Sequence, residues 1–393
     1  VARCKYRHKI DPTTGKCKYR HDEHRQDPAE TAHVGEFETH NPDGSANYCR
    51  FSEKPWGYED YREFIASKGQ DPDAVTFTWG WTSNPAGGFW NKLNNVRPKT
   101  GGVEDRISTA ELVQRIEAFQ PPRNPEFHET ARSLVIVPTD LQLGKTDWHG
   151  GTPDTLDQVL ASFHKAAQVA RDTKPAEIVM VDAGDIVENI YNTSSQLATN
   201  DTDLPHQVER AMHIMLTGIQ LLSPLAPSFK YVAVSSNHGA HRIGQKAPAG
   251  DVHADYGIVI AKMLGRALQL NPDAFGHVKV VTPHPYMESL AFETSGSRVG
   301  VVHGHQASSA DKLGEWWKGQ SHGNMPTADA RILIAGHWHS LRVQQSGDAR
   351  WILVGPASDR GSSWFTNVRG ESSASGMLSF LTADNAWSDL RIL

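Results

Sequence analysis

Arg331-Ile332-Leu333-Ile334-Ala335-Gly336-His337-Trp338-His339 decides how this chain is read. The run Ile332–Ala335 is continuously apolar, as a strand covered on both faces must be. Two histidines spaced i, i+2 directly after it can reach one point in space if the backbone turns there. The preceding glycine permits that turn.

The same arrangement recurs along the chain from about Ser133. Leu134–Val137, Glu177–Val181, Lys230–Val234, Val278–Val281, Val299–Val302, Ile352–Val354 and Met377–Phe380 also read as strands. Helical stretches at Thr155–Arg171, Gln207–Leu222 and Tyr256–Leu270 lie between several of them. Strand, helix, strand alternation argues for βαβ units and a mainly parallel sheet. The strand-dense end suggests a second sheet, giving a two-sheet sandwich with helices outside.

Strand ends are where a rigid sheet holds site residues. Here they carry Asp140-Leu141-Gln142, Asp182-Ala183-Gly184-Asp185, Asn237-His238-Gly239, His303 with His305, and His337 with His339. A lone Asp there is usually a turn residue, and Asn-His-Gly alone makes a good turn. Five such clusters, each after an expected strand, point instead to a dinuclear metal site. All the ligands are oxygen or imidazole, which suits Mn, Fe, Zn or Mg and disfavours a thiolate zinc site.

This ordered set resembles the calcineurin-like metallophosphoesterases over roughly residues 133–393, through its Gly-Asp, Asn-His and Gly-His-x-His motifs. Asp140-Leu141-Gln142-Leu143-Gly144-Lys145 and Asn237-His238-Gly239 are further similar to metallophosphoesterases common in bacteriophage genomes. The resemblance implies a four-layer αββα sandwich with two divalent metals at the sheet edge, Mn foremost, with Mg, Fe or Zn as alternatives. It implies Asp140 and His339 on the first metal, Asp185 bridging, and Asn237, His303 and His337 on the second. His303, first after its strand, is favoured over His305. A hydroxide shared by the metals would attack phosphorus, and His238 would protonate the leaving oxygen or stabilise transition-state charge.

Three positions depart from the family pattern. Gln142 stands where a histidine is usual, and an amide oxygen binds metal more weakly. Glu188 lengthens the acidic residue expected after Asp185, which suits an outer-shell role. Gly239 replaces an acid often found after Asn-His, so a carboxylate orienting His238 must come from elsewhere, with Asp182 and Asp255 as candidates. Arg242, His241 and Lys145 lie near these loops, as candidate phosphate contacts or as solvated charges.

Residues 1–50 differ in kind. The pentapeptide Cys-Lys-Tyr-Arg-His occurs twice, so Cys4, His8, Cys17 and His21 could hold one structural zinc, although the spacing is not that of a common finger. The alternative is a disordered basic tail with a duplicated segment. Residues 1–28 carry eight Lys or Arg against four acids, a balance of +4 that could lead the enzyme to nucleic acid. Residues 51–125 form an aromatic-rich accessory region and linker, with Tyr58–Ser67 a short helix and Ala74–Trp81 a strand. Its tryptophans could stack on single strands. Trp79 and Trp81 share one strand face, however, and the favoured expectation is a small core or a docking face. The metallophosphoesterase domain is placed at 126–393.

Composition sets the outer limits. A net charge of −6 over 393 residues argues against a protein basic throughout. Three cysteines, all within the first 49 residues, argue against a disulfide framework and for a reducing compartment. No apolar run approaches the roughly 18 residues of a membrane span, and the N-terminus lacks the apolar core of a signal peptide. A cytoplasmic enzyme is expected, in the host cytoplasm if phage-encoded. The reading is a metal-dependent phosphodiesterase, a nuclease acting on DNA or RNA. Its alternatives are a phosphatase or cyclic-nucleotide phosphodiesterase on small molecules, and a catalytically weakened scaffold of the same fold.

Overall fold

The computed structural model describes residues 36–40, 46–84, 87–98, 108–122, 131–147, 149–190, 199–242, 250–363, 366–367 and 375–393. The candidate zinc ligands Cys4, His8, Cys17 and His21 lie outside them. The chain divides into two compact units, Val1–Val103 and Glu104–Leu393. This is one division, where boundaries after residues 50 and 125 were expected. Residue 50 falls inside a strand paired on both sides. The helix Thr109–Glu117 lies in the second unit and buries Leu112 and Ile116 in its core.

The first unit is a four-stranded antiparallel sheet. Strands β1 (Glu36–His40), β2 (Ala46–Ser52), β3 (Val75–Ser83) and β4 (Phe89–Pro98) lie in the order β1-β2-β4-β3, with helix α1 (Tyr58–Ser67) between β2 and β3 in sequence. Tyr61, Phe64 and Ile65, spaced for one helix face, pack with Tyr48, Leu93 and Val96. The aromatics of α1 therefore do build a small core. Trp79 and Trp81 do not join it: on edge strand β3 they remain 45% and 48% exposed. Trp79 leans on Tyr61 of α1, ring centroids 5.0 Å apart, and Trp81 on Phe89 at 5.1 Å, but neither ring is covered.

In the second unit, helix α2 (Thr109–Glu117) precedes a six-stranded sheet of order β15-β14-β5-β6-β7-β8. Its strands are β5 (Ser133–Val137), β6 (Glu177–Asp182), β7 (Ser228–Ala233), β8 (Val278–Val281), β14 (Leu378–Ala383) and β15 (Ala386–Ile392). A five-stranded sheet holds β9 (Ser289–Thr294), β10 (Ser297–Val302), β11 (Ile332–Ala335), β12 (Arg342–Gln345) and β13 (Trp351–Val354), in the order β12-β13-β11-β10-β9. The strand-dense end thus splits. Strands β9–β13 form the second sheet, while β14 returns antiparallel beside β5 to extend the first.

Alternation along each buried strand serves two layers at once. Val135, Val137, Val179, Val181, Val232 and Val234 meet Leu290, Val299, Val301, Ile332, Ile334 and Leu353 between the sheets. Leu134, Ile136, Ile178, Met180, Phe229 and Tyr231 face helices α3 (Thr152–Thr173), α4 (Leu204–Leu222) and α5 (Tyr256–Ala267). On the far side, Leu333, Ala335, Ile352 and Val354 pack against Leu313 and Trp317, which sit on the helix Leu313–His322. The result is the four-layer αββα sandwich. Parallel pairings of β5 with β6, β6 with β7, and β10 with β11 bring their C-terminal ends out on one edge of each sheet. No helix among the described residues is long and apolar enough to cross a membrane.

Ile334 is fully buried between the sheets, two residues before Gly336. We expect Ile334→Ala to cost about 2–5 kcal/mol in urea unfolding. A cost near zero would contradict the two-sheet packing.

Candidate metal centre

The ends of the two sheets are laced together by backbone. Past β5, the Asp140 and Gln142 N–H groups donate to the Gly184 and Asp185 carbonyls at 2.9 and 2.8 Å. The pairing of β5 and β6 thereby continues into the loops and sets Asp140 beside Asp185. Within the second sheet, the Gly336 N–H donates to the His303 carbonyl at 2.8 Å, and across the sandwich the His337 N–H donates to Asp140 Oδ2 at 2.9 Å.

The backbone is left-handed at Asp140, Gln142, Asp185, His337 and His339, with φ of 53°, 44°, 53°, 69° and 47°. Each such residue costs roughly 1–2 kcal/mol relative to the right-handed region. Strain at polar strand-end residues is a common companion of functional sites. Gly336 was expected to supply the turn, yet its own φ is not positive. Its role is close approach: a Cβ there would sit 2.1 Å from Thr139 Oγ1 and 2.6 Å from Asp140 Oδ2.

Asp185, His303 and His337 bring one ligand atom each within 4.8 Å of one another, a group able to hold a metal ion. His303 Nδ1 lies 2.8 Å from the Ala183 carbonyl, which can only accept, so that nitrogen carries a proton. Nε2 then faces Asp185 Oδ2 at 2.9 Å and Asn237 Oδ1 at 3.0 Å. Lone pairs of one nitrogen and two oxygens converge there. Such convergence requires either a second proton on His303 or a cation among the three atoms, so the donor set fits a metal. His339 turns the other way, with Nε2 3.3 Å from Asp140 Oδ1. The two histidines of the opening stretch therefore face different carboxylates.

His238 receives a fixed orientation. Its backbone N–H donates to Asp185 Oδ1 at 2.8 Å. Its Nδ1 lies 3.3 Å from the Glu188 carbonyl oxygen, and the Glu188 carboxylate stands beside it with Oε2 at 3.2 Å. The orienting carboxylate is thus Glu188, and neither Asp182 nor Asp255. Asp182 accepts the Gly184 N–H, and Asp255 accepts from Ser236 and caps α5 through the Ile258 N–H. Sequence reading also passed over Asn189, whose side-chain amide donates to the His238 carbonyl at 2.7 Å and holds this loop.

Burial disfavours charge on His303 and His238, but the Asp185 carboxylate outweighs it, aided at His238 by Glu188. The two imidazoles rise to about 9 and about 10. Burial, with charged His303 beside it, drives His337 the other way, to about 3. Burial also opposes ionisation of Asp185, and its imidazole neighbours overcome that, holding it well below the ordinary carboxylate range.

The remaining candidates are distributed around this centre. His305 Nε2 lies 3.7 Å from Glu288. With Asn237, His241 and Arg242 it lines a cavity of about 100 Å³. Arg242 donates to the Asn237 carbonyl at 3.0 Å. Lys145 is not at that cavity. Its ammonium pairs with buried Asp359 and donates to Gln142 Oε1 at 2.8 Å, so the expected phosphate contact is a buried ion pair. Asp359 follows β13, and the rule that found the other clusters, applied to Ile352–Val354, would have found it.

No family model and no curated protein matches the chain. It is similar to wild-type Vps29 complexed with zinc from Entamoeba histolytica, at 10% identity over 66% of this chain and 98% of that one, TM-score 0.29. A predicted phosphoesterase from Streptococcus pneumoniae is 12% identical over 65% of this chain and 86% of that one, TM-score 0.26. A purple acid phosphatase from yellow lupin is 10% identical over 88% of this chain and 70% of that one, TM-score 0.32. Likenesses this distant say nothing of this chain's chemistry, which must be read from its own residues.

Glu188→Gln removes the charge that helps hold the proton on His238. In metal-free protein we expect the His238 pKa to fall, measured from its imidazole NMR signals against pH. An unchanged titration would show that Glu188 does not orient this ring.

Proposed function

We propose that the protein is a metal-dependent phosphoesterase of the calcineurin-like kind that hydrolyses phosphodiester bonds, acting as a nuclease on DNA or RNA. The observation that carries this reading is the convergence of Asp185, His303 and Asn237, with His337 beside them and His238 fixed at the rim.

On this reading Asp185, Asn237, His303 and His337 would hold one divalent cation, and Asp140 and His339, with Asp185 shared, would hold another. When bound, the cations supply Lewis acidity and lower the pKa of a water that can attack phosphorus. The rest falls to the chain. His238 directs its Nδ1 proton at Glu188, which leaves Nε2 as the atom able to donate to a leaving oxygen or to transition-state charge. Arg242, His241 and His305 line the small cavity beside Asn237, where an anionic group would find donors. The oxygen and imidazole donor set admits Mn, Fe, Zn or Mg, and Mn is the metal proposed.

Nucleic acid is favoured as substrate by the +4 balance of residues 1–28 and by the half-exposed Trp79 and Trp81, which present stacking faces. The narrower bacteriophage likeness rests on Asp140–Lys145 and Asn237–Gly239 alone, and a cytoplasmic setting rests on the cysteine usage. One observation favours a weakened scaffold instead: the Gln142 oxygen is engaged by Lys145.

With Mn²⁺ supplied to metal-free protein, we expect hydrolysis of bis-p-nitrophenyl phosphate and of single-stranded oligonucleotides. His238→Ala should lower kcat by about 10²–10⁴, and Asp185→Asn should abolish metal binding and turnover together. Turnover of nucleotide monoesters alone would favour the small-molecule phosphatase. Full activity in Asp185→Asn would exclude the proposed centre.

A further inference from the structure

Lys145 stands at the end of a tight turn. Its own N–H donates to the Gln142 carbonyl at 3.0 Å, folding the chain back through Gly144, whose φ is 109°. A side chain at Gly144 would collide with Gln207, its Cβ 2.2 Å from Nε2, so only glycine fits the turn as it stands. It sends the Lys145 ammonium inward onto Asp359. The two side chains retain only 13% and 1% of their exposure. Asp359 is itself held, its Oδ1 accepting the Gly361 N–H at 2.9 Å.

The ammonium also settles the orientation of Gln142. An ammonium only donates, so the Gln142 atom 2.8 Å away must be the amide oxygen. That oxygen is the one atom through which Gln142 could bind a metal. Burial works against the lysine's charge, but Asp359, with Glu188 and Asp147, outweighs it, and the group stays cationic. A divalent ion on the same oxygen would stand beside this ammonium in a poorly hydrated interior, where repulsion between like charges is weakly screened.

We propose that Lys145, clamped by Asp359, withdraws the Gln142 oxygen from metal coordination, so that the centre holds one cation tightly and a second loosely. The tight position is formed by Asp185, Asn237, His303 and His337. The loose one keeps Asp140 and His339, with Asp185 shared. The inference rests on the metal-centre reading above and goes beyond it: activity would follow the free concentration of the second cation, and Lys145 and Asp359 would set that dependence without touching substrate.

The test is titration of the metal-free full chain with Mn²⁺ alone, counting bound metal by equilibrium dialysis and following the spin-coupled pair by electron paramagnetic resonance. One Mn²⁺ should bind tightly and a second about tenfold or more weaker, the scale on which outer-shell residues act. Gln142→Ala should leave both affinities within about threefold, because Gln142 is not a ligand. Lys145→Met with Asp359→Leu removes both charges together, so that neither is left buried alone. It should tighten the second site about tenfold or more by freeing Gln142. Two equal sites in the unaltered chain, or loss of the second site in Gln142→Ala, would overturn the proposal. If the double variant does not fold, Gln142→Ala still decides. No uptake of Mn²⁺ at all would instead overturn the metal-centre reading itself.

Discussion

A carboxylate removed from water must be compensated, and Asp185 is the buried charge around which this site is arranged. Its side chain is 1% exposed. One oxygen takes the backbone N–H of His238, and the other faces His303 Nε2. Those contacts come from β6, from the loop after β7 and from the loop after β10, so satisfying one anion ties together both sheets. Asp140 repeats the pattern at the next position, accepting the His337 N–H and the Thr139 hydroxyl while facing His339. The compensation is carried by imidazoles and backbone, groups that also suit a divalent cation.

Holding these groups at contact distance has a conformational cost. Five polar residues at the strand ends are left-handed, and Gly336 and Gly184 are pressed against Thr139 and His303 so closely that no Cβ fits. The sandwich offsets this cost through valines and isoleucines packed from both sheets, which leave the strand ends no freedom to relax. Rigidity at the sheet and strain at its edge are two aspects of one arrangement, which keeps the donors converged before any ligand arrives.

Much of this was legible in the chain. The apolar runs of β5, β6, β7, β10, β11 and β13 are buried on both faces, and a strand so placed has to be apolar without interruption. Their ends carried the site residues because loops there are the part of the fold free of packing duty. Two edge strands, β12 and β15, were not legible, although edge strand β8 was. Arg342–Gln345 and Ala386–Ile392 are mostly solvent-facing and lack a continuous apolar run. The destination of Met377–Phe380 was hidden for another reason: its composition suits either sheet, and pairing with β5 is settled only by the packing of the whole sandwich.

By itself, then, the chain determined the two-sheet class and the residues that gather at its edge, because burial and strand periodicity are written in local composition. Partnership was decided by the tertiary structure. Glu188, rather than Asp182 or Asp255, orients His238. Gln142 turns its oxygen to Lys145, and Lys145 reaches Asp359, 214 residues further on. Trp79 leans on Tyr61 of α1 and Trp81 on Phe89, yet both stay half exposed. Hydrogen bonds and ion pairs act over about 3 Å, and which side chains come that close depends on where the whole chain has folded.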